Sequence, residues 1–495
     1  MKLSVFLALS GIVLILASCE SPQQKEERLA RHYCSSCHVF PEPSLLDKQT
    51  WDKHVLPQMA FRMGLPDMST LMRMNKADWN IILASLPAKP MVTLEEWEQI
   101  KHYYNTLAPD SLTPAPPLPA VPLTQFDTLT AAFGNALPTF TVVKADTVGG
   151  NIFAGDRMSK LYRFDTSLQL KDSFTLPSPP SHIIVAEGSD PIITCMGNMD
   201  PNDQSIGEVL SLSLQNHSTA QRLAQLQRPV YLEQADLNND GREDYIVCEF
   251  GNFTGMLSLF EQLADGTFKK HVLQAMPGAR RVVVRDVDGN DLPDIVCLMT
   301  QGDEKIVMLH NHGDFKFRLS TLLRFPPVYG SSYFDVADFN GDGKFDILYT
   351  QGDNLDYSMV LKPYHGLRLY LNNGQNEFKE KTFLHMDGAS QAVARDFDGD
   401  GDLDIAAIGF FADFGKDPQK SFLYFENVNG EFKAQETPAA ATGRWITMDV
   451  ADVDGDGDPD IVLASLAYNS GVPDVLFNRW MKRPVSVLYL KNRAH

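Results

Sequence analysis

Between residues 230 and 465 the chain repeats one pattern: an apolar run, a short loop crowded with Asp, Asn and Gly, then a second apolar run such as "YIVCEF" or "IVLASL". A connection of variable length leads to a third run ("LSLFEQ", "IVMLHN", "LRLYLN", "FLYFEN"), then a Gly/Asn turn and a fourth run that opens on Phe. Short apolar runs bounded by turn residues read as strands. The acidic loops begin at Asp236, Asp286, Asp338, Asp396 and Asp452, spaced by 50, 52, 58 and 56 residues, which marks a tandem array. Four antiparallel strands per unit make a propeller blade. Two more blade-sized units without acidic loops, "FTVVKAD…KLYRFD" and "HIIVAEG…VLSLSL", precede the five and bring the expected total to seven. The last unit ends at "SVLYLKNRAH" without a fourth strand, so residues around Leu123–Leu129 are expected to supply it. The all-β propeller is thus assigned to 125–495.

The N-terminal quarter follows a different period. In "TLEEWEQIKHYYNTLAP", Thr93 and Glu96 occupy capping-box positions, Leu94, Trp97, Ile100, Tyr103 and Leu107 recur at helical spacing, and Pro109 ends the helix. Residues 26–109 are therefore expected to form a small all-α domain, and the proline-dense stretch 110–124 a semi-rigid spacer. At the very start, a lysine precedes an apolar run to Ala17, shorter than the roughly 20 residues of a spanning helix, as in an export signal. Leu16-Ala17-Ser18-Cys19 resembles the lipobox of bacterial lipoproteins. That resemblance implies loss of residues 1–18, acylation of Cys19, a tether over 19–25, and an extracytoplasmic protein on a bacterial membrane, the outer one by preference.

Cys34-Ser35-Ser36-Cys37-His38 has the C-x-x-C-H spacing of covalent c-type haem attachment, with two thiols for the porphyrin vinyl groups and an imidazole for the iron. A zinc site wants a second ligand pair at suitable spacing, and a redox dithiol wants a βαβ context; neither is visible. With the closing amphipathic helix, the segment resembles a small class I cytochrome c. For the sixth iron ligand, the stripe Trp51, Val55, Met59, Met63 is either core packing or a ligand source. "VLPQMAFRMG" resembles the haem domain of bacterial cytochrome–propeller fusions, which implies Met59, with Met91 and Met63 as alternatives and His54 and His102 as minor bis-histidine choices.

In each acidic loop, side-chain oxygens at positions 1, 3, 5 and 9 can wrap one hard cation. These residues are Asp236, Asn238, Asp240 and Asp244; Asp286, Asp288, Asn290 and Asp294; Asp338, Asn340, Asp342 and Asp346; Asp396, Asp398, Asp400 and Asp404; and Asp452, Asp454, Asp456 and Asp460. The glutamate of an EF-hand at position 12 is absent, and the loop–strand setting resembles the integrin-alpha-type FG-GAP, or VCBS, repeat. That resemblance implies about five Ca²⁺, with the second loop set apart by its shifted glycine. Seventeen carboxylates crowd these twenty positions, so cations explain much of the formal charge of −20. The same charge argues against nucleic acid as a partner.

Cys195, Cys248 and Cys297 lie in or near apolar runs and read as buried thiols, although a disulfide between two of them stays open. The long connections of the last three repeats carry Tyr357, Lys362, Tyr364, His365, Phe411 and Trp480, which either bind a protein or glycan partner or pack the loops together. No nucleophile motif, zinc signature or dinucleotide fingerprint is present in the sequence. Over the mature chain the whole resembles bacterial lipoproteins that fuse a cytochrome c domain to FG-GAP/VCBS repeats. Two functions follow: electron transfer to a redox partner protein combined with binding by the propeller, or a haem-coupled oxidoreductase acting on a sugar or alcohol.

Overall fold

The structure, a computed structural model, describes residues 20–65, 68–72, 74–132, 137–353 and 358–494. Its main body is a ring of seven sheets: five are formed by four strands in sequence order, and the sixth and seventh also each take one strand from earlier in the chain. The first strand of each blade lies innermost: Phe140–Asp146, Pro180–Ile184, Pro229–Ala235, Ala279–Arg285, Ser331–Ala337, Ala389–Arg395 and Trp445–Ala451 contact one another around the axis. The ring closes where Asp127–Ala131 pairs antiparallel with Val487–Lys491, Asp127 opposite Lys491. The chain's early segment thus supplies the missing strand, a few residues beyond the position expected from the sequence.

The apolar runs after the acidic loops have a simple cause. Asp244–Glu249, Asp294–Met299, Asp346–Gln351, Asp404–Gly409 and Asp460–Ser465 are buried along their whole length, between neighbouring blades on both faces. Strands covered on both sides cannot alternate apolar and polar residues. Each fully buried Val, Leu or Ile contributes about 1.5–3 kcal/mol.

The stretch 110–124 is no free spacer. Val121–Pro122 pairs parallel with the outer strand Glu431–Glu436, making the sixth blade five-stranded. Leu118 and Ala120 pack on that blade's core, and Lys420 Nζ donates to Leu118 O at 3.0 Å. Proline suits an edge strand, where a missing N–H costs nothing.

Residues 22–107 form a helical segment. Its first helix, Pro22–Cys34, is capped by Ser21 and Gln24; its last, Leu94–Leu107, by Thr93 and Glu96 in the expected capping box. The two pack together around Ala30, Trp51, Ile100 and Tyr104, with the Trp51 and Tyr104 rings 4.4 Å apart. No helix among the described residues is long and apolar enough to cross a membrane. Residues 1–19, with the expected export signal and Cys19, lie outside the described residues.

This segment sits on the propeller face that carries the variable loops. Tyr364 Oη donates to Leu45 O at 2.9 Å, and Thr50 Oγ1 lies 3.1 Å from Ser358 Oγ. Asp203 N donates to Asp78 Oδ2, Phe61 meets Phe253 edge-on at 6.4 Å, and Arg62 covers the same Phe253 ring at 4.2 Å. Val328, from the connection between the fourth and fifth blades, is buried in the helical segment's own core.

Candidate functional site

Cys34 is the last residue of its helix, and Cys37 and His38 follow in the turn that leaves it. Cys34 is half-buried against Tyr104, while Cys37 is exposed. Burial pushes the Cys34 thiol up to about 11. A nucleophilic dithiol requires the opposite shift. His38 Nδ1 lies 2.9 Å from Val39 O, so a proton on Nδ1 satisfies that carbonyl and leaves the Nε2 lone pair available to a ligand. Burial lowers the His38 pKa, which favours the neutral ring.

Met59, Met63 and Cys34 are all partly buried against one apolar core that includes Trp51, Val55 and Leu56. Met91 is 45% exposed and meets this region through its backbone N–H to Met63 O. His54 is exposed, and His102 points to Glu26 at 3.0 Å on the surface. Among the ligands considered, only Met59 and Met63 lie against the core that holds Cys34. The motif also faces the propeller, since Arg324 Nη2 donates to Cys37 O at 3.3 Å and Asp303 and Arg324 both act on the His38 charge.

The five acidic loops share one backbone design. The position-1 carboxylate of each (Asp236, Asp286, Asp338, Asp396, Asp452) accepts the position-6 N–H at 2.7–3.1 Å. The position-9 carboxylate accepts the position-2 N–H at 3.0–3.3 Å, and a third-strand N–H at 2.7–2.9 Å. Position 6 is left-handed throughout: glycine in four loops, and Asp291 at φ 63° in the second. The shifted glycine, Gly289, lies at position 4, which is also left-handed in every loop, so the second loop keeps the common shape.

That shape draws acids together. Carboxylate oxygens of Asp396, Asp398 and Asp400 lie within 4.8 Å of one another, as do those of Asp452, Asp454 and Asp460. Burial raises the pKa of Asp244, Asp346 and Asp460, and pushes Asp404 up to about 6. Desolvated carboxylates in an all-oxygen donor set fit a hard divalent cation. Basic side chains stand in part of this space: Arg242 on Asp240, Lys344 on Asp342, and Lys491 on Asp454.

The variable-loop residues do not form an open ligand face. Lys362, His365, Phe411 and Trp480 are buried, Tyr364 bonds the helical segment, and Tyr357 lies outside the described residues. Trp480 stands on an unforeseen helix, Asp474–Lys482, edge-on to Phe414, and Arg444 sits under Phe410, Phe411, Phe414 and Tyr468. The aromatics pack the loops together. Burial lowers Lys362 to about 8, while Asp353 and, less strongly, Asp47 of the helical segment oppose that shift. Cys195, Cys248 and Cys297 are buried free thiols.

Sequence reasoning missed the docking residues Asp203, Phe253, Asp303 and Val328, whose partners lie far away in the chain. It also missed Glu304, buried beside Asp303 and held by Ser331 N at 3.0 Å and Gly330 N at 3.3 Å. Burial pushes Glu304 up to about 8. A raised acid stabilises the fold fully below its ordinary pKa of 4.5, and that contribution is lost as pH rises towards 8. Glu304→Gln should therefore flatten the decline in Tm across this window. Parallel declines in wild type and variant would contradict a neutral buried acid.

Residues 236–297, 286–349, 351–407 and 410–463 match the family profile described as FG-GAP-like repeat. The propeller carries FG-GAP-like repeats. They run from the acidic loop of the third blade to the second strand of the seventh, and the first two blades lie outside the match. No curated protein matches the chain. Among solved structures, the N-terminal domain of Nup159 aligns at 12% identity, covering 77% of this chain and 98% of its own, with a TM-score of 0.41. The S. cerevisiae complex of a Dbp5 variant with Nup159, Gle1, IP6 and ADP aligns at 11% identity, with 77% and 99% coverage and a TM-score of 0.43. The Dos1 propeller aligns at 8% identity, with 72% and 80% coverage and a TM-score of 0.43.

Proposed function

We propose that this chain is a membrane-anchored, extracytoplasmic electron-transfer protein in which a calcium-stabilised FG-GAP propeller is the scaffold for a haem-bearing segment. The observation that carries the reading is the Cys34/Cys37/His38 turn: His38 Nδ1 is tied to Val39 O, and Met59 and Met63 pack against the same core as Cys34. In this reading Cys34 and Cys37 would hold haem c by thioether bonds, and His38 Nε2 and Met59 would ligate the iron. A haem bound there would supply one-electron exchange, with both iron ligands drawn from the protein. The chain's own residues do the rest. Trp51, Val55 and Tyr104 exclude water, and the contacts at Leu45, Asp78, Phe253 and Val328 fix the segment on the propeller. Calcium in the acidic loops belongs to the same proposal, with Arg242, Lys344 and Lys491 turned away from the carboxylates they touch.

Acylation of Cys19 would place this assembly at a membrane, with a redox protein as the partner. The second function, sugar or alcohol oxidation, needs an accessible donor site beside the haem, and Lys362 and His365 are buried instead. Oxidised protein should show the weak methionine-to-iron charge-transfer band and accept electrons from small soluble donors but not from sugars or alcohols. Met59→Ala should abolish the band. Loss only in Met63→Ala would move the ligand one turn on, and sugar-dependent haem reduction would overturn the electron-transfer reading.

A further inference from the structure

The acidic loop of the fourth blade differs from the other four in what faces it. Each third strand passes its loop with the residue just before the one whose N–H donates to the position-9 aspartate. In the five blades that residue is Glu261, His310, Leu371, Glu426 and Lys491. Only the fourth blade therefore offers a nitrogen lone pair. There, one ligand atom each of Asp288, Asp294 and His310 lies within 4.8 Å of the others.

The imidazole is held for such a role. His310 is 8% exposed, on the strand Lys305–Asn311, and its Nε2 lies 3.1 Å from Ser320 Oγ on the adjacent strand Phe317–Arg324. An outer hydrogen bond of this kind sets the tautomer of a metal-ligating histidine and leaves the other ring nitrogen for the ion. Asp294 is fully buried and fixed by Val287 N and Asn311 N, which orients its carboxylate. Asp288 makes no hydrogen bond or ion pair among the described residues. No lysine or arginine pairs with Asp288 or Asp294 among those residues, in contrast to Lys491 on Asp454.

We propose that the Asp288–Asp294–His310 cluster binds a divalent transition cation of the zinc class, in place of calcium. Calcium selects oxygen donors, whereas one imidazole with two carboxylates suits a borderline cation and leaves a coordination position for water. The inference shares the reading of these loops as metal sites but rests on its own donor set.

The test uses the full haem-loaded chain, stripped with a chelator and dialysed against excess Ca²⁺ with Zn²⁺ at one equivalent. Metal analysis should find one zinc retained per chain despite the calcium. His310→Leu should weaken zinc retention at least about tenfold. Asp288→Asn, at an exposed position that leaves the fold intact, should weaken it too. The calcium-dependent rise in Tm should persist in both variants. Zinc lost to the calcium buffer, or retained equally by both variants, would overturn the proposal. Zinc retention that depends on His310, in a protein whose melting ignores calcium, would uphold this site and refute the calcium reading of the others.

Discussion

Stripping calcium should lower the melting temperature of the propeller by more than about ten degrees. A ligand held at 100 times its Kd adds about 2.7 kcal/mol per site, and several loops act on one ring. The local cause is visible in the position-9 aspartates. Asp404 is buried, receives Phe397 N and Asn427 N, and is still pushed up to about 6. Asp398 adds like charge to it, and burial together with Asp400 and Asp396 raises Asp398 in turn. Without a cation, folding must bring these carboxylates together at a cost in desolvation and repulsion. The effect should be largest near neutral pH and shrink as the acids protonate. A melting curve that is the same with chelator and with calcium would refute occupied loops.

The repeats were legible because their physics is local. An aspartate at position 1 gathers its own loop's N–H groups, an aspartate at position 9 clamps loop to strand, and the strand that follows is apolar because both its faces are covered. Asp291 shows the limit of reading glycine alone: an aspartate takes the left-handed position, and Gly289 serves position 4. The Thr93/Glu96 box and the closure of the last blade were legible for similar reasons. The position of the helical segment was not. Leu45 meets Tyr364, and Trp51 shares a core with Val328, across some three hundred residues, and no periodicity encodes such a contact. Lys362 and His365 looked like a ligand face because nothing local in the sequence announces what covers them. The parallel pairing of Val121–Pro122 with the sixth blade was hidden for the same reason, since a proline-rich stretch reads as a spacer until an open strand edge is known to lie beside it.

Replacing Cys34 and Cys37 together with serine should remove haem from the protein completely. Thioether bonds survive denaturation while iron coordination does not, so the wild-type chain should keep its haem through denaturing electrophoresis. The geometry is favourable: one thiol is half-buried at the helix end, the other is exposed, and the adjacent imidazole has one nitrogen already engaged. Serine matches cysteine closely in size, so the helical segment should still dock through Leu45, Asp78 and Phe253.

The most direct measurement of the whole account is haem staining of denatured protein from detergent-partitioned cells. The account predicts a stained band at the full chain's mobility in the detergent phase. That band should lose its stain in the Cys34→Ser/Cys37→Ser variant and move, still stained, to the aqueous phase in Cys19→Ala. A wild-type band without stain, or a stain that survives loss of both thiols, would contradict it.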